Sequence, residues 1–173
     1  MPLEVQIKGA DKLRAMADAL RKADRVDLHK QLGQAITAAS KPTVDAVQKS
    51  ARHISTHGVR KPGAKRPFKA VVPAKGTRAK IADAVRAEVD TRAENPKVSF
   101  TVRTTRLPTQ IRALPRKFDA GGTFRHPVMG NRDVWVSQTG DPWFWQPIKD
   151  HINTFRAEID KALDTVRDQL ERG

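Results

Sequence analysis

The chain contains no cysteine, which removes disulfide staples, thiolate nucleophiles and Cys-based zinc sites from consideration. It has no apolar run of bilayer-spanning length, and the opening MPLEVQIKG carries none of signal-peptide length. These absences predict a protein made and used in the cytoplasm, or built into something assembled there, with no membrane partner. No glycine-rich phosphate loop follows a strand pattern, since Gly121-Gly122 alone signals a turn. Carboxylates are missing over long stretches. Every ionised side chain from Lys49 to Lys80 is basic, and so is every one between Glu94 and Asp119.

What the chain has in excess is positive charge. There are 33 Lys and Arg against 19 Asp and Glu, a net charge of +14 and a pI near 10.6. Such a balance biases the partner list towards nucleic acid or an acidic protein surface, with a merely solvated basic surface as the plain alternative. At 173 residues the chain suits a single domain spanning residues 1–173. Its 38% hydrophobic and 30% charged residues fit a thin fold with long exposed segments, or a subunit that completes its burial against neighbours.

The pattern predicts an α+β fold: a small antiparallel β-sheet packed against N-terminal helices and a long C-terminal amphipathic helix, with a long basic loop. Leu3, Val5 and Ile7 alternate with polar residues as a strand ended by Gly9. Leu13, Met16, Ala17 and Leu20 then mark one face of a short helix. A second helix is expected from an Asp27 N-cap through Leu28, Leu32, Ala35, Ile36 and Ala39. At Pro42 it either kinks or yields to a new helix capped by Ser40, which continues through Val44, Val47 and Ile54. Prolines and glycines over 57–80 predict an extended basic loop, and a short helix is expected over 81–85. Ala87, Val89 and Thr91 and then Val98, Phe100 and Val102 read as the two strands of a hairpin, with Asn95-Pro96 in the turn. Residues 106–118 read as one short helix. Short strands over 123–126 and 134–136 flank the Pro127–Arg132 loop. Asp141-Pro142 opens the last helix, whose apolar positions Ile148, Ile152, Phe155, Ile159, Leu163, Val166 and Leu170 fall at threes and fours.

No catalytic constellation stands out. His53 and His57 have the i, i+4 spacing of a helical metal pair, but their surroundings are cationic and no carboxylate is near, so a structural role explains them better. Asp83, Glu88 and Asp90 suggest a nuclease cluster, yet Thr91 and Arg92 stand where such sites place a lysine. His126 precedes a proline and reads as a hydrogen-bonding core or interface residue. Trp135, Trp143, Phe144 and Trp145 are better read as core or subunit interface than as base-stacking platforms.

The order of these pieces resembles the tail-completion or neck family of long-tailed bacteriophages, minor tail components such as lambda protein Z. The resemblance is carried by Val5 to Gly9 with the helix after it, Gly121-Gly122, Arg125-His126-Pro127, and Pro142-Trp143-Phe144-Trp145-Gln146-Pro147 with its helix. The chain departs from that family in two places. A longer basic loop replaces the Pro-x-x-Thr-Gly-x-Leu segment that follows the long helix in many members. Their Glu-Gly-Thr turn appears only as Asp119-Ala120-Gly121-Gly122-Thr123.

The resemblance implies a non-enzymatic virion protein without cofactors. It implies a homo-oligomeric ring, six-fold or twelve-fold, between head-completion or adaptor proteins and tail-terminator or tail-tube proteins. On that reading Arg60, Lys61, Lys65, Arg66, Lys69, Lys75, Arg78, Arg103, Arg106, Arg112 and Arg116 are the candidate lining of a channel for genomic double-stranded DNA, contacted without sequence preference, or the contact to a partner ring. His126, Pro127, Trp135, Trp143, Phe144, Trp145, Ile148, Ile152, Phe155 and Ile159 would form core or subunit interface. A standalone, sequence-independent nucleic-acid-binding protein is the competing reading. A Mg²⁺-dependent nuclease is the third.

Overall fold

A computed structural model describes residues 3–6, 10–54, 76–91, 96–128 and 131–172. These residues have the expected α+β class, and they fall into two compact units. One, here the helical unit, comprises Glu4–Ala46, Arg86–Thr101 and Ile148–Gly173; the other, the cationic unit, comprises Met1–Leu3, Val47–Val85 and Val102–Pro147.

In the helical unit, strand β1 (Glu4–Gln6) is followed by helix α1 (Ala10–Lys22). The face predicted from sequence, Leu13, Met16, Ala17 and Leu20, is buried. α1 ends where Asp24 takes a left-handed backbone (φ 48), with Arg25 N–H donating to Leu20 O at 3.1 Å and Asp24 N–H to Arg21 O at 3.2 Å. This is a Schellman closure built on aspartate, a residue that tolerates the left-handed region better than most.

Helix α2 (Val26–Arg52) starts one residue before the expected cap, so Asp27 sits in its first turn. There the Arg25 guanidinium donates to both Asp27 carboxylate oxygens at 3.1 Å, and that hydrogen bonding holds the carboxyl below its ordinary range. α2 also runs through Pro42 without a second start. Ser40 caps nothing: its hydroxyl donates to Thr37 O at 2.7 Å, as Thr37 does to Gly33 O at 2.7 Å. Two hydroxyls thus fold back on the turn before the proline, whose ring nitrogen has no hydrogen to donate.

Strands β2 (Val85–Asp90) and β3 (Lys97–Val102) are more than a hairpin. The sheet order is β1-β3-β2, with β1 antiparallel to β3 in the register Glu4↔Thr101, Val5↔Phe100, Gln6↔Ser99. β3 is therefore central, and Ser99 and Thr101 are buried along with Val98, Phe100 and Val102. The Ser99 hydroxyl has no hydrogen-bond partner among the described residues. Helix α5 (Trp145–Arg172) lays Ile148, Phe155, Leu163 and Val166 into this core, with Phe155 edge-on to Phe100 at 5.5 Å between centroids. Lys12 of α1 reaches Asp160 of α5 at 3.0 Å on the surface, an ion pair worth little by itself.

The cationic unit begins with the end of α2, where Val47, Ala51 and Ile54 are buried. Helix α3 (Thr77–Asp83) starts four residues earlier than the sequence pattern predicts, so Arg78 and Lys80 lie on a helix rather than in a loop. The remainder of the 57–80 loop, including Arg60, Lys61, Lys65, Arg66, Lys69 and Lys75, lies outside the described residues. The segment expected as one helix is instead two 3-10 turns, Thr104–Arg106 and Thr109–Ile111, and a short helix α4 (Leu114–Asp119). Pro108 and Pro115 cannot donate the bonds that a continuous helix would need.

Strands β4 (Thr123–Val128) and β5 (Asn131–Thr139) form an antiparallel ribbon longer than the sequence suggests, pairing Thr123↔Thr139 through Pro127↔Trp135. It is entered through Gly121 and Gly122, both at positive φ (67 and 72). Gly140 leaves it under a tighter constraint. A Cβ there would stand 2.5 Å from Phe118 O and 2.9 Å from Lys117 O, both backbone atoms.

Gly140→Ala should therefore destabilise the protein by about 1–3 kcal/mol, the range for forced overpacking, or roughly 2–4 °C in melting temperature per kcal/mol for a chain this size. Gly76→Ala, where nothing lies within 4 Å of an added Cβ, is the control and should stay within about 0.5 kcal/mol of wild type. Thermal melts followed by circular dichroism decide it. Equal melting temperatures for the two variants would refute the close approach.

Candidate interaction surface

The segment from Arg103 to Asp119 separates its residues by chemistry. Leu107, Ile111, Leu114, Pro115 and Phe118 are buried, while Arg103, Arg106, Arg112, Arg116 and Lys117 are exposed. Tight i→i−3 turns produce this split: Arg106 N–H donates to Arg103 O at 3.0 Å, Leu107 N–H to Thr104 O at 3.0 Å and Ile111 N–H to Pro108 O at 2.9 Å. The Arg112 guanidinium folds back to Leu107 O at 3.1 Å, and the Lys117 ammonium stands 5.8 Å from the Phe124 ring centroid. The result is a cationic ridge on an apolar footing.

The ridge belongs to a wider imbalance. The cationic unit holds 17 of the 33 Lys and Arg but only 4 of the 19 Asp and Glu, a net +13 of the total +14. The helical unit holds the other 16 and 15 and is nearly neutral. Of the predicted contact residues, Arg78, Arg103, Arg106, Arg112 and Arg116 thus share one unit.

The aromatic segment divides in two. Trp143 (1% exposed) and Phe144 (0%) are core, stacked edge to face at 5.5 Å, and the Trp143 indole N–H donates to Pro115 O at 3.1 Å. Trp135 (52%) and Trp145 (50%) face outward, which rules out the core reading for those two. His126 is half-buried, its Nε2 2.9 Å from Gln138 Oε1, with Phe124 beside it. Pro127 takes its place in the ribbon opposite Trp135. Ile148 and Phe155 are buried in the helical unit, and Ile152 and Ile159 are half-buried there.

Asp119 is the residue that sequence reasoning passed over. Its Oδ1 accepts from Phe144 N–H at 2.8 Å and Trp145 N–H at 3.3 Å, so it caps the start of α5 from 25 residues upstream. A cap normally comes from the residue next to the helix, where it can be read off the sequence. This one is supplied by tertiary structure.

The described members of the candidate chemical sites are engaged separately. His53 Nδ1 lies 2.8 Å from Lys49 O at the end of α2, and His57 is outside the described residues. Asp83 pairs with Arg52 at 3.7 Å, while Glu88 and Asp90 are exposed on β2. Among the described residues no three His, Asp or Glu side chains are grouped to hold a metal, and no helix is long and apolar enough to cross a membrane.

Trp143→Ala should cost about 3–5 kcal/mol and Asp119→Ala about 1 kcal/mol, with Asp119→Asn retaining most of the cap. Trp145→Ala should cost well under about 1 kcal/mol. Urea titrations rank the four. A Trp145→Ala destabilisation matching that of Trp143→Ala would contradict the division.

The chain matches no family model, no curated protein and no solved structure.

Proposed function

We propose that this protein is a structural, non-enzymatic subunit of a bacteriophage head-to-tail connector. In this reading it forms a homo-oligomeric ring in the virion, contacts neighbouring head and tail proteins, and presents its cationic unit to the DNA channel. The observation that supports it best is the charge partition. A chain divided into one unit of net +13 and one of net +1 suits a subunit with one part for a polyanion and another for protein neighbours. The exposed arginines of the 103–119 ridge would meet phosphates, which position a duplex without reading its sequence. The long amphipathic α5 and the small sheet supply packing surfaces suited to a ring, and the order of sequence pieces resembling the neck family agrees.

The competing reading, a standalone nucleic-acid-binding protein, draws on the same cationic unit. Mass separates the two. Light scattering of the purified chain, at low and high salt and with the products of adjacent virion genes added, should give a defined ring in their presence. A chain that ignores those proteins yet binds a mixed-sequence DNA duplex with a steep salt dependence would overturn the connector proposal. Replacing Arg103, Arg106, Arg112 and Arg116 by Gln should lower the slope of log affinity against log salt by up to about 0.9 for each phosphate no longer neutralised. An unchanged slope would exclude the ridge from DNA binding.

A further inference from the structure

We propose that the helical unit takes up an acidic, extended segment of a partner protein, which adds as a further strand beside β2 and lies along α2 between Lys30 and Lys41. The inference stands apart from the connector reading, since it uses only described residues of the helical unit.

β2 is an edge of the three-stranded sheet, whose order is β1-β3-β2. An edge strand is a ready template for one more strand. α2 comes close to it: a Cβ added at Gly33 would stand 3.6 Å from the side chain of Thr91, just past the end of β2. Between the two elements lies a groove of about 660 Å³, lined by Gly33, Ala38 and Val44 of α2 and by Ala87 and Val89 of β2. Thr37 and Ser40 also border it, but their hydroxyls donate to the carbonyls of Gly33 and Thr37 at 2.7 Å. The walls therefore favour apolar side chains.

Charge selects the occupant. Lys30 and Lys41 border the same groove, and both are exposed. Eleven residues apart on one helix, they stand nearly in line and roughly 16 Å from each other. Among the described residues neither has a side-chain hydrogen bond or an ion pair. Arg86 reaches the lining as well, and no carboxylate among the described residues belongs to it. Asp45, one turn beyond Lys41, lies outside the lining, and the exposed Glu88 and Asp90 alternate with Ala87 and Val89 along β2.

The occupant's pattern follows. In an extended chain, side chains four residues apart point the same way and are about 13 Å apart, within reach of two lysines on flexible stems. A carboxylate, an apolar residue two positions on and a second carboxylate two further on would all face α2. The intervening residues would turn to the side of Glu88 and Asp90 and carry no negative charge. A nucleic acid fits poorly, because its phosphates would meet those two carboxylates.

The test titrates the full chain into a fluorescein-labelled peptide, Thr-Glu-Thr-Val-Thr-Glu-Thr, and follows its anisotropy at low salt. Saturable binding is expected, and Lys30→Glu combined with Lys41→Glu should weaken it at least about tenfold, since like charges then face each other. The same double variant should gain affinity for the peptide with both Glu replaced by Lys, which shows that its groove is still folded. Ala38→Trp should fill the groove and abolish binding. Methylating the peptide's backbone nitrogens removes the donors that strand addition uses and should weaken binding as strongly. Absence of saturable binding, or binding indifferent to the double variant, would overturn the proposal. Equal binding of the methylated peptide would refute strand addition. Displacement of the peptide by a mixed-sequence DNA duplex would assign the groove to nucleic acid instead. A concentration-dependent dimer of the chain alone, lost in Ala38→Trp, would assign it to a second copy.

Discussion

Cohesion in the face of excess positive charge is the constraint on the cationic unit. Seventeen cations and four carboxylates share the cationic unit, so its cohesion has to come from elsewhere. It comes from apolar packing beneath the charges: Leu107, Ile111, Leu114 and Phe118 under the arginine ridge, and Trp143 and Phe144 at the root of α5. Asp119, one of the four carboxylates, is used on backbone N–H groups rather than on a neighbouring arginine. Structural chemistry and cationic chemistry are thereby kept in separate layers of one short segment.

The same separation governs what the surface can do. Exposed arginines on a ridge meet phosphate without needing a pocket, because the attraction is long-ranged and tolerant of geometry. Exposed tryptophans are different, since an indole gains only from a fitted, dehydrated surface. One unit therefore carries a tolerant surface and a demanding one, the division that the proposed connector role would use.

Sequence periodicity made the helices legible because their signals are local. The spacing of Ile148, Phe155, Leu163 and Val166 places α5 without ambiguity, and Leu13, Met16 and Leu20 place α1. What escaped depends on residues far apart in the chain. Ser99 and Thr101 look solvent-facing in an alternating strand, yet both are buried, and β3 is also flanked by β1, some ninety-five residues earlier in the pairing. Thr77 to Lys80 have no apolar periodicity, so their helix was hidden inside a loop-like composition. Of the candidate surface, the basic residues were visible as a run, and Arg103, Arg106, Arg112 and Arg116 are indeed exposed. Aromatic clustering points to core or subunit interface for all three tryptophans without separating the two roles; Trp143 is core, its indole bonded to the α4 backbone, whereas Trp135 and Trp145 are exposed in the single chain. No local pattern encodes the Asp119 cap.

That division of the tryptophans has a spectroscopic consequence. The chain contains no tyrosine, so its ultraviolet emission comes almost wholly from three indoles in two kinds of environment. Trp143 sits in a rigid apolar setting and emits towards the blue, whereas Trp135 and Trp145 are wetted and emit towards the red. The molecule thus carries its own two-colour reporter, in which the blue component follows the integrity of the core and the red component follows whatever comes to cover the surface.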